Sequence, residues 1–164
     1  MSVQKSSLAV FGGAPAKTVP YTKGVRFGPA EEEAAVAAIR SQKLWMKQGG
    51  TRVPAVEKTI CELWGVPHAI ACSSGTAALH LAAVACGVEP GDEVILNPTT
   101  DWGTICGLLA IGAVPVFADV HPDTLSLDPA AVAGTITPRT RAIILVHFAG
   151  YPAHVKEIVT LARR

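Results

Sequence analysis

Residues 72–96 read CSSGTAALHLAAVACGVEPGDEVIL, and this stretch decides the fold of the chain. Its small hydroxyl residues lead into an uncharged segment from Gly75 to Cys86, which predicts a helix. The turn Pro90-Gly91-Asp92 then leads into a predicted strand from Glu93 to Asn97 that is largely apolar on both faces. Such a strand is typical of a parallel sheet that helices cover on both sides.

The same alternation of strand and helix continues on both sides of this stretch. Further strands are predicted at His68 to Cys72, Val114 to Ala118 and Ala142 to Phe148. Further helices are predicted at Trp102 to Ile111, at Pro129 to Ile136 with Asp128 as its cap, and at Ala153 to Arg164. The fold class is therefore α/β, with a parallel or mostly parallel sheet covered by helices on both faces. Because no strand follows the last helix, we expect either a truncated chain or a partner that supplies the rest.

The N-terminal part of the chain has a different pattern. Residues 1–30 are rich in Gly, Pro and Lys without periodicity and predict an extended arm, whereas residues 31–164 predict an incomplete large domain. A helix is predicted from Pro29, with acidic residues in its first turn where the helix dipole favours them. A second helix is predicted from Pro54 to Gly65, with Trp64 in the core.

Composition and charge exclude several classes of protein. The chain is 49% hydrophobic and 16% charged, which excludes a disordered chain, and its net charge of +1 does not favour nucleic-acid binding. Two uncharged stretches, 69–88 and 102–118, are interrupted by turn residues, so we expect buried helices and strands and no membrane span. The N-terminal apolar stretch is shorter than a signal peptide requires, which predicts a cytoplasmic protein.

The cysteine and histidine patterns do not favour a metal site. The four cysteines have no CxxC spacing, so buried, reduced thiols are expected at Cys61, Cys72, Cys86 and Cys106. The one cluster of acids with a histidine, Asp119, His121 and Asp123, alternates as in a solvated loop.

Three turns at the carboxyl ends of predicted strands are candidate binding sites, because ligands of open parallel sheets bind at that edge. In the first turn, residues 72–76, the Ser74 and Thr76 hydroxyls, Gly75 and the free helix N–H groups suit a phosphate. An ordinary helix cap by Ser74 explains the same residues without a ligand. In the second turn, residues 97–103, Trp102 either stacks on a planar ligand or packs on the next helix. In the third turn, residues 147–152, His147 either faces a ligand or is a hydrogen-bonded core histidine.

Three stretches carry a resemblance to a known family: CSSGTAALHLAAVACGVEPGDEVIL, then GAVPVFADVHPDTLSLDP, then ITPRTRAIILVHFAGYPAH. In this order and spacing they resemble the pyridoxal-phosphate (PLP) dependent sugar aminotransferases of the DegT/StrS type, which have the fold type I architecture. The resemblance implies that residues 31–164 are an incomplete PLP-binding large domain. It also implies that Ser74, Gly75 and Thr76 hold the cofactor phosphate at the helix N-terminus.

The chain departs from the family pattern in two places. An aromatic residue follows the threonine of the second turn in the family and stacks on the pyridine ring, but here Asp101 takes that position and Trp102 comes one residue later. We favour Trp102 as the stacking residue, with Asp101 beside the cofactor as the alternative. The family's pyridine-binding acid and Schiff-base lysine are expected beyond Arg164, so no catalytic residue is assigned within these 164 residues.

The leading hypothesis is the N-terminal part of an aminotransferase that moves an amino group from an amino acid to a keto sugar or cyclitol. The resemblance also implies a homodimer when complete, and we expect the 164 residues alone to be inactive. Three alternatives stay open: a PLP-dependent sugar dehydratase of the same family, a non-catalytic truncated or assembly module, and a nucleotide-binding α/β protein.

Overall fold

The computed structural model describes residues 8–20, 24 and 26–163. They fall into two compact units, one up to Ala55 and the other from Val56. The α-helices are α1 Pro29–Ser41, α2 Arg52–Trp64, α3 Gly75–Ala85, α4 Trp102–Ile111, α5 Pro129–Thr135 and α6 Val155–Ala162. The strands are β1 Glu93–Leu96, β2 Val114–Phe117 and β3 Thr140–Ile144.

The three strands form one parallel sheet in the order β2-β1-β3. At the carboxyl end of the sheet, Leu96 of β1 is in register with Phe117 of β2 and Ile144 of β3. The central strand is buried along its whole length, as the apolar pattern of residues 93–97 predicts. The loops after all three strands therefore leave from one edge, which places the first part of the second turn beside the loops after β2 and β3.

Helices cover both faces of the sheet, which confirms the predicted α/β class. On one face Val94 and Leu96 pack with Ala83 of α3 and Leu108 of α4. On the other face Ile95 packs with buried side chains of α5 and α6, Val132 and Ile158. The faces alternate along β1 because successive strand side chains point to opposite sides.

The structure corrects several predicted boundaries. Residues 68–72 form no strand, because no strand of the described chain pairs with them, and the Ala71 N–H instead donates to Glu57 Oε1 at 2.8 Å. The strand predicted from Ala142 begins at Thr140 and ends at Ile144, where pairing with Leu96 of β1 ends. The helix predicted from Ala153 begins at Val155. Arg164 lies outside the described residues.

Some apolar side chains are more exposed in the structure than the sequence pattern predicts. Trp64, predicted in the core, is 70% exposed at the end of α2. The cysteines are free as expected, but Cys72 and Cys86 are exposed and the other two are only partly buried. On α3 the side chains of Leu81 and Val84 are exposed as well. Hydrophobic character alone does not predict burial, because that depends on which neighbouring element covers the side chain.

The unit up to Ala55 contains α1, short turns and the first residues of α2. Helix α1 begins at Pro29 as predicted, and the Glu31 carboxylate accepts a hydrogen bond from the Gly28 N–H at 2.7 Å. That bond lowers the pKa of Glu31 below its ordinary value. The predicted arm over residues 1–30 includes residues 1–7, 21–23 and 25, which lie outside the described residues, and its boundary stays a prediction.

None of the helices in the described part of the chain combines the length and apolar character that a bilayer crossing requires.

Candidate active site

The first turn forms the N-terminus of α3, and Ser74 caps it. Ser74 is extended, with φ −165° and ψ 165°, and its Oγ accepts a hydrogen bond from the Ala77 N–H at 3.1 Å. The Ser74 carbonyl accepts the Ala78 N–H at 3.0 Å. The capping role considered from sequence is therefore present, and it uses the Ser74 hydroxyl as an acceptor.

The cap leaves the other groups of this turn open. Among the described residues, the N–H groups of Gly75 and Thr76 and the Thr76 hydroxyl have no hydrogen-bond partner. Thr76 is exposed, and a Cβ added at Gly75 would meet no atom within 4 Å. Two unpaired N–H donors, a free hydroxyl and open space at a helix N-terminus fit a phosphate group.

The second turn ends at the N-terminus of α4, where Asp101 is the cap. Its Oδ1 accepts a hydrogen bond from the Gly103 N–H at 2.8 Å. The bond orients the Asp101 carboxylate toward the N-terminus of α4. Trp102, the first residue of α4, is 66% exposed, so its ring is not buried against the next helix. Of the two candidates for contact with a ring, Trp102 is therefore the one with an uncommitted side chain.

The first and second turns lie directly beside each other, because α3 and α4 pack closely at their N-terminal ends. A Cβ added at Gly103 would lie 2.5 Å from Thr76 Oγ1 and 3.0 Å from Asp101 Oδ1. One helical turn further, a Cβ added at Gly107 would lie 2.9 Å from the Cα of His80. The structure thus brings Thr76 and the Asp101-Trp102 pair to the same end of two adjacent helices.

The third turn is arranged around His147. Its Nδ1 accepts a hydrogen bond from the Ala153 N–H at 3.1 Å, and the residue is exposed. His147 is therefore hydrogen-bonded, as favoured from sequence, but it is not a core residue. Since Nδ1 is the acceptor, the neutral ring carries its proton on Nε2.

Sequence reasoning missed a set of polar side chains below the second turn. Asn97 is fully buried at the end of β1, and its Nδ2 donates to the Thr99 carbonyl at 2.8 Å and to Thr99 Oγ1 at 2.9 Å. Thr99 Oγ1 donates to the Leu125 carbonyl at 2.6 Å. The available signal was a polar residue at the end of an otherwise apolar strand.

The acidic residue of β1 lies at the other end of the strand. The Glu93 carboxylate accepts hydrogen bonds from Thr137 Oγ1 and from the Arg139 guanidinium, whose Nε lies 2.9 Å from Oε1. These bonds hold the pKa of Glu93 below its ordinary value. Glu93 is therefore a structural acid at the amino edge of the sheet, away from the candidate site.

Other candidate features do not join this site. Asp119, His121 and Asp123 include one weak pair, His121 Nδ1 to Asp123 Oδ2 at 3.8 Å, and no group of three or more metal-ligating side chains occurs among the described residues. A cavity of about 330 Å³ lies in the N-terminal unit, between the end of α1 and the start of α2. None of the candidate site residues lines it.

Comparison with known proteins identifies the family of this chain. L-glutamine:2-deoxy-scyllo-inosose aminotransferase of Streptomyces paromomycinus is 40% identical over 96% of this chain and 38% of its own length. The crystal structure of 3-amino-5-hydroxybenzoic acid synthase matches 90% of this chain and 38% of its own, with a TM-score of 0.82 and 35% identity. A structure described as a sugar aminotransferase of Streptococcus pneumoniae, in its PLP form, matches 87% and 36%, with a TM-score of 0.76 and 27% identity.

The chain thus spans well under half the length of these relatives. Residues 28–164 match the DegT/DnrJ/EryC1/StrS aminotransferase family, and they include the first, second and third turns. The α/β fold agrees with this match, and the chain belongs to the DegT/DnrJ/EryC1/StrS aminotransferase family.

Proposed function

We propose that this chain is the N-terminal part of a PLP-dependent aminotransferase that transfers an amino group from an amino acid to a keto sugar or cyclitol. One observation supports this most directly: the open N-terminus of α3, with the unpaired Gly75 and Thr76 groups, lies beside the exposed Trp102. Such an arrangement offers a phosphate site and an aromatic surface at one edge of the sheet.

In this proposal each residue has a separate task. The N–H groups of Gly75 and Thr76 and the Thr76 hydroxyl bind the phosphate. Ser74 Oγ caps the helix as an acceptor, and its O–H donates to the same phosphate. Trp102 packs on the pyridine ring, and Asp101 acts through its cap, which sets the start of α4. Bound PLP supplies an electron sink and a carrier for the amino group.

The named relatives support the aminotransferase hypothesis over the dehydratase alternative. The Streptomyces paromomycinus enzyme is named for L-glutamine and 2-deoxy-scyllo-inosose, and the Streptococcus pneumoniae structure is described as a PLP form. We extend both properties to this chain as part of the proposal, together with homodimer assembly and a cytoplasmic location.

The test is a comparison of PLP with pyridoxal, which lacks the phosphate. The chain is titrated with each, and binding is followed by quenching of tryptophan fluorescence. We expect PLP to bind more tightly, and Thr76→Val to weaken PLP by about tenfold, which corresponds to the loss of one hydrogen bond to a charged group, while pyridoxal binding is unchanged. Thr160→Val, a remote threonine on α6, serves as the control.

A Gly75→Val variant tests the open space itself. The valine side chain would enter space that is empty in the structure, so we expect the fold to tolerate it. The same side chain would occupy the proposed position of the phosphate. Equal binding of PLP and pyridoxal by the unaltered chain would contradict the phosphate assignment.

A further inference from the structure

Asn97 has an unusual environment for a buried amide. It is fully buried, and its Nδ2 makes two hydrogen bonds to Thr99, but its Oδ1 is buried with no partner among the described residues. The orientation of the amide is fixed, because the Thr99 carbonyl can only accept. Leaving a buried acceptor unpaired costs stability, so stability alone does not account for an amide at this position.

The hydrogen bonds of Asn97 continue in one direction across the carboxyl edge of the sheet. Thr99 Oγ1 accepts from Asn97 Nδ2 and donates to the Leu125 carbonyl, so the two bonds strengthen each other. Leu125 lies in the loop after β2 and has a left-handed φ of 53°, which a branched side chain rarely adopts. The bond from Thr99 therefore helps to hold a strained loop residue in place.

The next residue joins this loop to the third strand. Ser126 is fully buried, and its Oγ donates to the carbonyl of Val146, just beyond β3, at 3.0 Å. Together with Asn97 and Thr99, it connects the chain after β1 to the loops that follow the other two strands. The second turn is thereby bonded directly to the loop after β2, and that loop is bonded through Ser126 to the chain after β3.

We propose that Asn97 and Thr99 form a positioning pair that, through the bond to Leu125, sets the second turn and so the place of the Trp102 ring. The proposal rests on the proposed function to the extent that Trp102 is the residue meant to contact the cofactor ring. The proposal assigns no ligand contact to Asn97 or Thr99. Their effect reaches Trp102 through residues 98–101, whose conformation the two bonds from Asn97 to Thr99 restrict.

The experiment compares two threonines that occupy opposite edges of the sheet. Thr99→Val removes the Oγ1 bonds with Asn97 Nδ2 and the Leu125 carbonyl with little change in shape, and it keeps the bond from Asn97 Nδ2 to the Thr99 carbonyl. Thr99→Ser keeps the hydroxyl. Thr137→Val is the matched control, because it removes a bond to the buried Glu93 at the amino edge. Each change is made in a chain with Trp45→Phe and Trp64→Phe, so that Trp102 is the remaining indole.

Three measurements are made on each variant: the melting temperature, the indole N–H resonance of Trp102 without ligand, and the affinity for PLP. We expect Thr99→Val to shift the resonance and weaken PLP by about tenfold, since catalytic and binding geometry is sensitive to small displacements. Thr99→Ser should keep the Trp102 resonance and the PLP affinity of the unaltered chain. Thr137→Val should lower the melting temperature but change neither the resonance nor the PLP affinity.

Two results would overturn the proposal. One is a Thr99→Val variant that melts earlier but keeps the Trp102 resonance and the PLP affinity. The other is an equal shift of the resonance in Thr99→Val and Thr137→Val, which would indicate a general loosening of the fold. If the unaltered chain does not bind PLP, the proposed function fails, whereas the unliganded resonance still decides whether Asn97 and Thr99 position Trp102.

Discussion

Trp102 and Trp64 have nearly the same exposure, 66% and 70%, but they lie at different places in the fold. Trp102 begins α4 beside the open N-terminus of α3, whereas Trp64 ends α2. We expect Trp102→Ala to weaken PLP binding by about tenfold, the upper range for loss of one stacked aromatic contact. Trp64→Ala should leave it unchanged. Fluorescence titration of both variants checks this, and equal losses would argue against stacking by Trp102.

Glu93 gives the stability of the chain a pH dependence with a defined sign. Hydrogen bonds from Thr137 and Arg139 lower its folded pKa below the ordinary value of 4.5. The carboxylate therefore binds fewer protons in the folded state, so its stabilising effect is complete above the unfolded pKa and is lost as the pH falls through the folded pKa. Glu93→Gln should lower the melting temperature at neutral pH and flatten its fall below pH 4.5.

Glu31 provides the matched control for this pH profile. Its pKa is lowered too, by the Gly28 N–H, but its carboxylate is exposed on α1 and makes no bond to a distant residue within the described part of the chain. Melting curves of Glu31→Gln should therefore keep most of the acid dependence that Glu93→Gln removes. A steep acid fall that survives in Glu93→Gln would show that other carboxylates control it.

The contact between helices α3 and α4 depends on a glycine. A Cβ at Gly107 would lie 2.9 Å from the Cα and Cβ of His80, so an alanine must push the helices apart. We expect Gly107→Ala to destabilise the chain by about 1–3 kcal/mol, the usual cost of overpacking. Chemical denaturation of Gly107→Ala and of the unaltered chain measures this difference in the free energy of unfolding.

Gly134 is the control glycine, because it also lies in a helix, α5, but a Cβ there would meet nothing within 4 Å. Gly134→Ala should stabilise by about 0.5–1 kcal/mol, since alanine restricts the unfolded chain and favours helix. If both variants were stabilised, α3 and α4 would not be in the close contact that the structure shows.

Elements were predictable where local signals and packing agree. Helix α4 has the predicted bounds, because Asp101 caps its start and Gly112, with φ 82°, ends it. The strand predicted over residues 68–72 is absent, since a strand requires a hydrogen-bonded neighbour and propensity alone does not supply one. For the same reason β3 ends where pairing with β1 ends, before the apolar run is over.

For the molecule as a whole, the sequence predicts the parts of the site that are local. Ser74, Gly75 and Thr76 are adjacent in the chain, so the helix N-terminus they form can be recognised from their order. The contact of Thr76 with Gly103 and the bond from Thr99 to Leu125 join distant segments, and no local pattern encodes them. Whether Trp102 or Asp101 meets the cofactor ring depends on these long-range contacts, and it stays a prediction.

The last prediction separates binding from turnover in the 164-residue chain. The proposed phosphate-binding groups lie within it, whereas the family resemblance implies that the lysine and the acid that complete the chemistry lie outside these 164 residues. Of its own lysines, Lys156 is exposed on α6 and Lys58 pairs with Glu62 at 3.6 Å on α2. We expect PLP to bind, while L-glutamine and a cyclitol ketone give no more keto acid than free PLP gives alone. Sustained keto-acid formation beyond that background would mean that an amine within these residues serves the reaction, and each lysine-to-arginine variant would then identify which one.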